Sequence, residues 1–147
     1  MTTDPIVKTV QVPLSPEAAF ELFTARIGEW WPLHQKSVSA GQGARSQSLE
    51  IEPAVGGAFV ETGHDGGRHL WGTVQEWRPG EAFTTTWHPG KMADHQTRIR
   101  VTFEAEGDGT LVTLTHSGWG ALSDAEAAMR EPYVTGWDTV LDLYVAA

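Results

Sequence analysis

Residues 97–118 read TRIRVTFEAEGDGTLVTLTHSG. In the first half Ile99, Val101 and Phe103 alternate with Arg98, Arg100 and Thr102. A period of two with one apolar and one polar face is the mark of a half-buried strand. Gly107-Asp108-Gly109 is a turn, and beyond it Val112 and Leu114 resume the alternation. The same parity turns His116 inward. Two such strands around a tight turn form an antiparallel hairpin.

The pattern extends towards the N-terminus. AFTTTWH (82–88) places Phe83, Thr85 and Trp87 on one face, and Pro89-Gly90 turns the chain after it. HLWGTVQEW (69–77) ends at Arg78-Pro79-Gly80. This strand is ambiguous: Trp71 and Trp77 share one parity, Leu70 and Val74 the other, so one pair is expected outside or at an edge. AFVET (58–62) and SLEIEP (48–53) flank Gly56-Gly57, and Asp65-Gly66 is a strong hairpin signal. Short strands joined by tight turns imply an antiparallel meander.

Helices are expected only at the two ends. IVKTVQV (6–12) is a β-branched strand with Val10 and Val12 inward. After it, Ser15 caps a helix begun by Pro16 and Glu17, with Phe20, Phe23 and Ile27 on one stripe, so the helix is expected over 16–27. Glu29-Trp30-Trp31-Pro32 follows as a turn or second short helix. Residues 33–47, LHQKSVSAGQGARSQ, are small and polar and read as a mobile, lid-like loop. Near the C-terminus Ser123-Asp124-Ala125-Glu126 is a capping box. Pro132 marks a kink or a fresh helix start, and Tyr133, Trp137, Val140, Leu141 and Tyr144 recur at helical spacing. Strands bracketed by helices read as α+β. The C-terminal helix is long enough to cross the sheet, and a curved sheet gripping one helix leaves room for a cavity.

Composition bounds the function. One domain over 1–147 is the expectation for 147 residues with 40% hydrophobic and 20% charged residues. There are no cysteines, so disulfides, thiolate nucleophiles and cysteine zinc sites are excluded. A charge of −9 argues against nucleic acid and anionic membranes as partners. With no signal-like start and no long apolar run, a cytoplasmic location is expected. Seven Trp in a chain of this size is unusual. They read either as core packing or as the wall of a pocket.

Several segments carry a family resemblance. These are Val12-Pro13 before the Phe20/Phe23 helix, Glu52-Pro53 with Gly56-Gly57-Ala58-Phe59, and Trp71-Gly72-Thr73-Val74. Trp77-Arg78-Pro79-Gly80-Glu81 running on to Trp87, Thr115-His116-Ser117-Gly118-Trp119, and Gly136-Trp137 with Leu141 complete the set. In this order, over nearly the whole chain, they resemble the START-like, birch-pollen-allergen-like (SRPBCC) helix-grip superfamily. Within it they are similar to the domain related to the C-terminal part of the heat-shock protein 90 ATPase activator. The resemblance implies a curved antiparallel sheet wrapped around a long C-terminal helix, with two short helices after the first strand. It also implies a lone domain without the extra N-terminal chaperone-binding domain of the eukaryotic co-chaperone. The fold itself carries many activities.

Three functions stay open. The first is binding of a small hydrophobic or amphipathic ligand between sheet and helix. The expected contacts are Trp30, Trp31, Phe59, Trp71, Trp87, Val101, His116, Trp119, Tyr133, Trp137 and Leu141. The second is an enzyme of the cyclase or hydrolase type using His116 with an acidic partner, for which Glu61 and Glu76 have the parity. Against this, His116 also reads as a core His bound to a backbone carbonyl, and both Glu read as strand-end residues near solvent. The third is a protein-interaction module, including a chaperone co-factor, marked by an exposed apolar patch. A homodimer is compatible with all three. No cofactor is expected, since GxGxxG, GxxxxGK[ST] and GxSxG motifs are absent. No metal is expected either: His64/His69 and His88/His95 flank turns without ligating geometry.

Overall fold

A computed structural model describes residues 3–91 and 96–147. His95 lies outside the described residues. The elements run β1 (Ile6–Val12), α1 (Pro16–Phe23), α2 (Ile27–Trp30), β2 (Ser48–Ile51), β3 (Ala58–Thr62), β4 (Arg68–Arg78) and β5 (Ala82–Trp87). They continue through β6 (Thr97–Glu106), β7 (Gly109–Ser117), α3 (Asp124–Ala127) and α4 (Arg130–Ala146). The seven strands form one antiparallel sheet in the order β1-β7-β6-β5-β4-β3-β2. The meander is as the turns imply, and β1 closes onto β7. The sheet curls around α4, giving the helix-grip fold.

The β6/β7 hairpin follows its alternation throughout. Ile99, Val101, Phe103, Val112, Leu114 and His116 are all buried, with Ile99 opposite His116 and Val101 opposite Leu114. β4 does not alternate. The register slips between Phe59 and Val60 on its β3 side, leaving Trp71 as an extra residue. A second slip between Val74 and Glu76 leaves Gln75 extra on the β5 side. Each bulge reverses the parity. Trp71 and Val74 therefore both face the core, Trp77 packs edge-on against Phe20 and Phe83, and only Leu70 is exposed. The expected choice between two pairs is thus resolved by bulging. Gly72 sits beside the first bulge, where any side chain would run into the Thr86 carbonyl oxygen.

α1 is capped as expected, the Ser15 hydroxyl accepting from Ala18 N and Pro16 opening the helix. It stops at Phe23, four residues before the expected end. Both the N–H and the hydroxyl of Thr24 bond back to the Phe20 carbonyl, and the chain turns before starting α2. The turn directs Ile27 and Trp30 into the core. At the other end, Ser123 caps α3, its hydroxyl accepting from Glu126 N at 3.3 Å and donating to Glu126 Oε1 at 2.8 Å. Pro132 is the third residue of α4, where its missing N–H would be unpaired in any case, so the helix runs through it. Tyr144 anchors the far end of α4 by donating to the Ala19 carbonyl of α1 at 2.8 Å, and its burial pushes the phenol pKa up.

Candidate functional site

Three segments meet around a cleft of about 510 Å3. Helix α4 supplies Pro132, Tyr133, Gly136, Trp137 and Val140, and Met129 lies just before it. The strand ends and the turn after β5 supply Trp71, Trp87, Pro89 and Gly90. The segment after α2 supplies Trp31 and residues 35–38, 40 and 41. The volume lies within the range of small-molecule sites, roughly 300–1,000 Å3.

The aromatic wall is held by hydrogen bonds that use up its indole N–H groups. Trp31 donates to the Lys36 carbonyl at 2.7 Å, Trp71 to Glu61 Oε1 at 3.0 Å, Trp87 to the Tyr133 hydroxyl at 3.0 Å and Trp137 to His116 Nδ1 at 3.0 Å. The rings interlock, with Trp31 5.4 Å from Trp71 and Trp87 5.4 Å from Trp137 between centroids. The cleft therefore meets no free indole donor among these four rings. The Tyr133 phenol accepts one N–H and keeps its own proton to donate. Burial raises its pKa, an effect partly countered by the Trp87 bond, so the hydroxyl stays protonated at neutral pH.

Within residues 33–47, expected as a mobile loop, Val38 and Ser39 are bonded to the sheet. The Glu61 carboxylate accepts from Val38 N at 2.8 Å and Ser39 N at 3.1 Å in addition to the Trp71 indole. Ser39 accepts in turn from His64 N, and Ser37 donates to the Leu33 carbonyl. Glu61 is fully buried, contrary to its expected place near solvent. Three N–H donors replace the water it gives up. Glu76 stays nearer the surface, bonded by Arg100 and Thr84, which lower its pKa. The two carboxylates do not meet His116.

His116 is fully buried, and both ring nitrogens are engaged. Nδ1 accepts the Trp137 N–H, so the proton resides on Nε2, which faces the Thr97 hydroxyl at 2.6 Å. Thr97 passes a hydrogen bond on to the Trp87 carbonyl at 3.4 Å. Burial, with a smaller effect from Arg130, lowers the His116 pKa from its ordinary 6.5 to about 3. A neutral ring with no spare lone pair, lying behind the lining, cannot exchange protons with the cleft contents at neutral pH. It is a core His, satisfied by two side chains in place of the expected backbone carbonyl.

Five of the eleven expected contacts line the cleft: Trp31, Trp71, Trp87, Tyr133 and Trp137. Phe59 stands behind Trp71 and Trp87, at 5.5 and 5.8 Å between centroids. His116 and Trp119 stand behind Tyr133, at 4.9 and 5.7 Å. Val101 and Leu141 are packed in the core. Trp30 turns away, donating to the Leu22 carbonyl and packing on Phe23 and Tyr144. The residues after Trp31, which form a whole wall, were signalled only by their length as an irregular stretch. Among the described residues no group of three His, Asp or Glu is placed to hold a metal. No helix among them is long and apolar enough to cross a membrane.

The family model described as "Activator of Hsp90 ATPase homolog 1-like protein" matches residues 13–145. The chain belongs to this family. The solved structures agree on the fold. Protein MLL2253 from Mesorhizobium loti superposes with a TM-score of 0.67 at 16% identity, covering 97% of this chain and 95% of that one. The Aha1 dimer from Colwellia psychrerythraea gives 0.62 at 20% identity, covering 94% and 90%. The anthrahydroquino-γ-pyrone synthase Txn09 is 33% identical, with a TM-score of 0.56 and coverage of 80% of this chain and 79% of that one. No curated protein matches.

Proposed function

We propose that this chain binds a planar, largely apolar small molecule in the cleft, stacked among Trp31, Trp87 and Trp137, and that it does so in the cytoplasm. The observation that carries the reading is the bonding of the wall. Each lining indole spends its N–H on a protein acceptor, so the aromatic lining offers no free indole donor. Ring surface favours flat aromatic partners. The test is a titration with soluble polycyclic aromatics, followed by intrinsic Trp fluorescence and by melting temperature. Saturable quenching with a raised melting temperature supports binding. Gly136→Leu should abolish both responses without unfolding the chain, because it fills the mouth while improving helix propensity. A panel that neither quenches nor stabilises would remove the reading.

The likeness to Txn09 favours a second reading, in which the bound molecule also undergoes ring closure. Tyr133 is then the group placed to donate a proton to it. Tyr133→Phe should lower turnover while binding is kept; unchanged turnover would exclude the role. A homodimer is proposed by analogy with the Aha1 relative, and sedimentation equilibrium of the purified chain tests it.

A further inference from the structure

The charge pattern of the cleft points to a narrower ligand class. The chain carries 19 acidic against 10 basic residues, yet among the described residues no Asp, Glu, Arg or His lines the cleft. Lys36 is the one charged side chain there. Its backbone is fixed to the aromatic wall, since its carbonyl accepts the Trp31 indole at 2.7 Å and its N–H bonds the Pro32 carbonyl at 2.8 Å. Its ammonium lies against α4 at Gly136, 3.5 Å from where a Cβ would stand. A glycine inside a helix is unfavourable relative to alanine, and here its bare surface leaves the ammonium room. Among the described residues no carboxylate forms an ion pair with Lys36. The carboxylate behind the wall, Glu61, has both oxygens occupied by N–H donors.

We infer that the ligand is an aromatic anion, a flat ring system bearing a carboxylate or acidic phenolate that pairs with Lys36 at the mouth while the rings stack inside. This rests on the binding reading above. The arrangement is two-ended: stacking gives affinity, and the single cation sets which end stays outside. Lys36 is exposed, so its contribution is modest and sensitive to salt.

The test compares anthraquinone-2-carboxylate with its neutral carboxamide by Trp quenching, on the wild-type chain and on Lys36→Met and Lys36→Arg. The expected result is about a fivefold preference of the wild type for the carboxylate. That preference, read as the ratio of the two affinities in each protein, should vanish in Lys36→Met, survive in Lys36→Arg and shrink in 0.5 M salt (about a 4 Å screening length). Equal binding of the two probes by the wild type would overturn the inference and leave the binding reading standing. So would a preference that persists in Lys36→Met. If neither probe binds, both fall together. Melting temperatures of the variants confirm that an exposed side chain has been changed in a folded protein.

Discussion

Two aromatic clusters lie on either side of Trp30-Trp31, and they are built from the same residue types to opposite ends. At the closed end Phe20, Phe23, Trp30, Trp77, Phe103 and Tyr144 pack ring against ring, with Phe23 5.1 Å from Tyr144 and Phe20 5.3 Å from Phe103 between centroids. At the open end Trp31, Trp71, Trp87, Tyr133 and Trp137 hold each other at similar separations but enclose a cleft. Burial does not distinguish them: Trp30 is 7% exposed and Trp31 6%. What differs is the partner of each ring's polar atom. Trp30 and Tyr144 bond the Leu22 and Ala19 carbonyls of α1, which ties α2 and α4 to that helix. The open-end indoles bond the loop, a carboxylate, a phenol and an imidazole. Of the six closed-end rings three are Phe and have no polar atom, whereas the open-end indoles reach partners on four separate segments, at Lys36, Glu61, Tyr133 and His116.

The largest effect should come from the closed end. Phe23→Ala is expected to lower stability by about 3–5 kcal/mol, because the surrounding rings cannot collapse into the space. Urea denaturation measures this, and ligand affinity of the folded fraction should be unchanged. A loss below about 1 kcal/mol would mean that the closed end is not the rigid half.

The next effect concerns the carboxylate that fixes the loop wall. Glu61→Gln keeps one acceptor oxygen but turns an NH2 towards an N–H donor, so a cost of about 1–3 kcal/mol is expected. Hydrogen exchange should also quicken at Val38 and Ser39 while the β6/β7 hairpin stays protected. Unchanged exchange at those two amides would show that Glu61 does not hold the wall.

His116 gives the open end a pH dependence. Its pKa is about 3 folded against 6.5 in its ordinary state, so between these values the unfolded chain binds a proton that the folded chain refuses. Its stabilising effect is complete above about pH 6.5 and is lost as pH falls towards 3, at up to about 1.4 kcal/mol per pH unit. Carboxylates contribute a slope of the same sign, so the comparison is with His116→Gln, which keeps a donor and an acceptor in place. The difference between the two stability profiles should open as pH falls from 6.5 to 4. Parallel profiles would mean that His116 titrates normally. The smallest effect is expected for Tyr133→Phe, about 1 kcal/mol, because one neutral hydrogen bond, from Trp87 to Tyr133, is lost.

The same contrast explains what could be read from the sequence. The hairpin 97–118 was legible residue by residue because neither of its strands bulges and one face is dry. β4 was not, because the extra residues Trp71 and Gln75 reverse the alternation and carry no mark of their own beyond Gly72. The end of α1 was missed because the apolar stripe continues to Ile27 although the backbone leaves the helix after Thr24, where Arg26 N bonds the Glu21 carbonyl and Ile27 N the Thr24 carbonyl. The rings of the cleft could be named, since Trp and Tyr announce themselves. Which of them border space could not, because that depends on long-range bonds such as Glu61 to Val38, 23 residues apart. Lys36 had no signal at all: it lies in an irregular stretch without period, and only the fold brings it to Gly136.

The most direct measurement is a 15N-resolved NMR titration of the indole N–H signals with anthraquinone-2-carboxylate. Seven Trp give seven signals, each reporting one position. The signals of Trp31, Trp71, Trp87 and Trp137 should shift together with a single saturating curve, while those of Trp30 and Trp77 stay in place. Shifts of equal size at both ends, or saturation seen only at Trp30 and Trp77, would contradict the division into a solid half and a binding half.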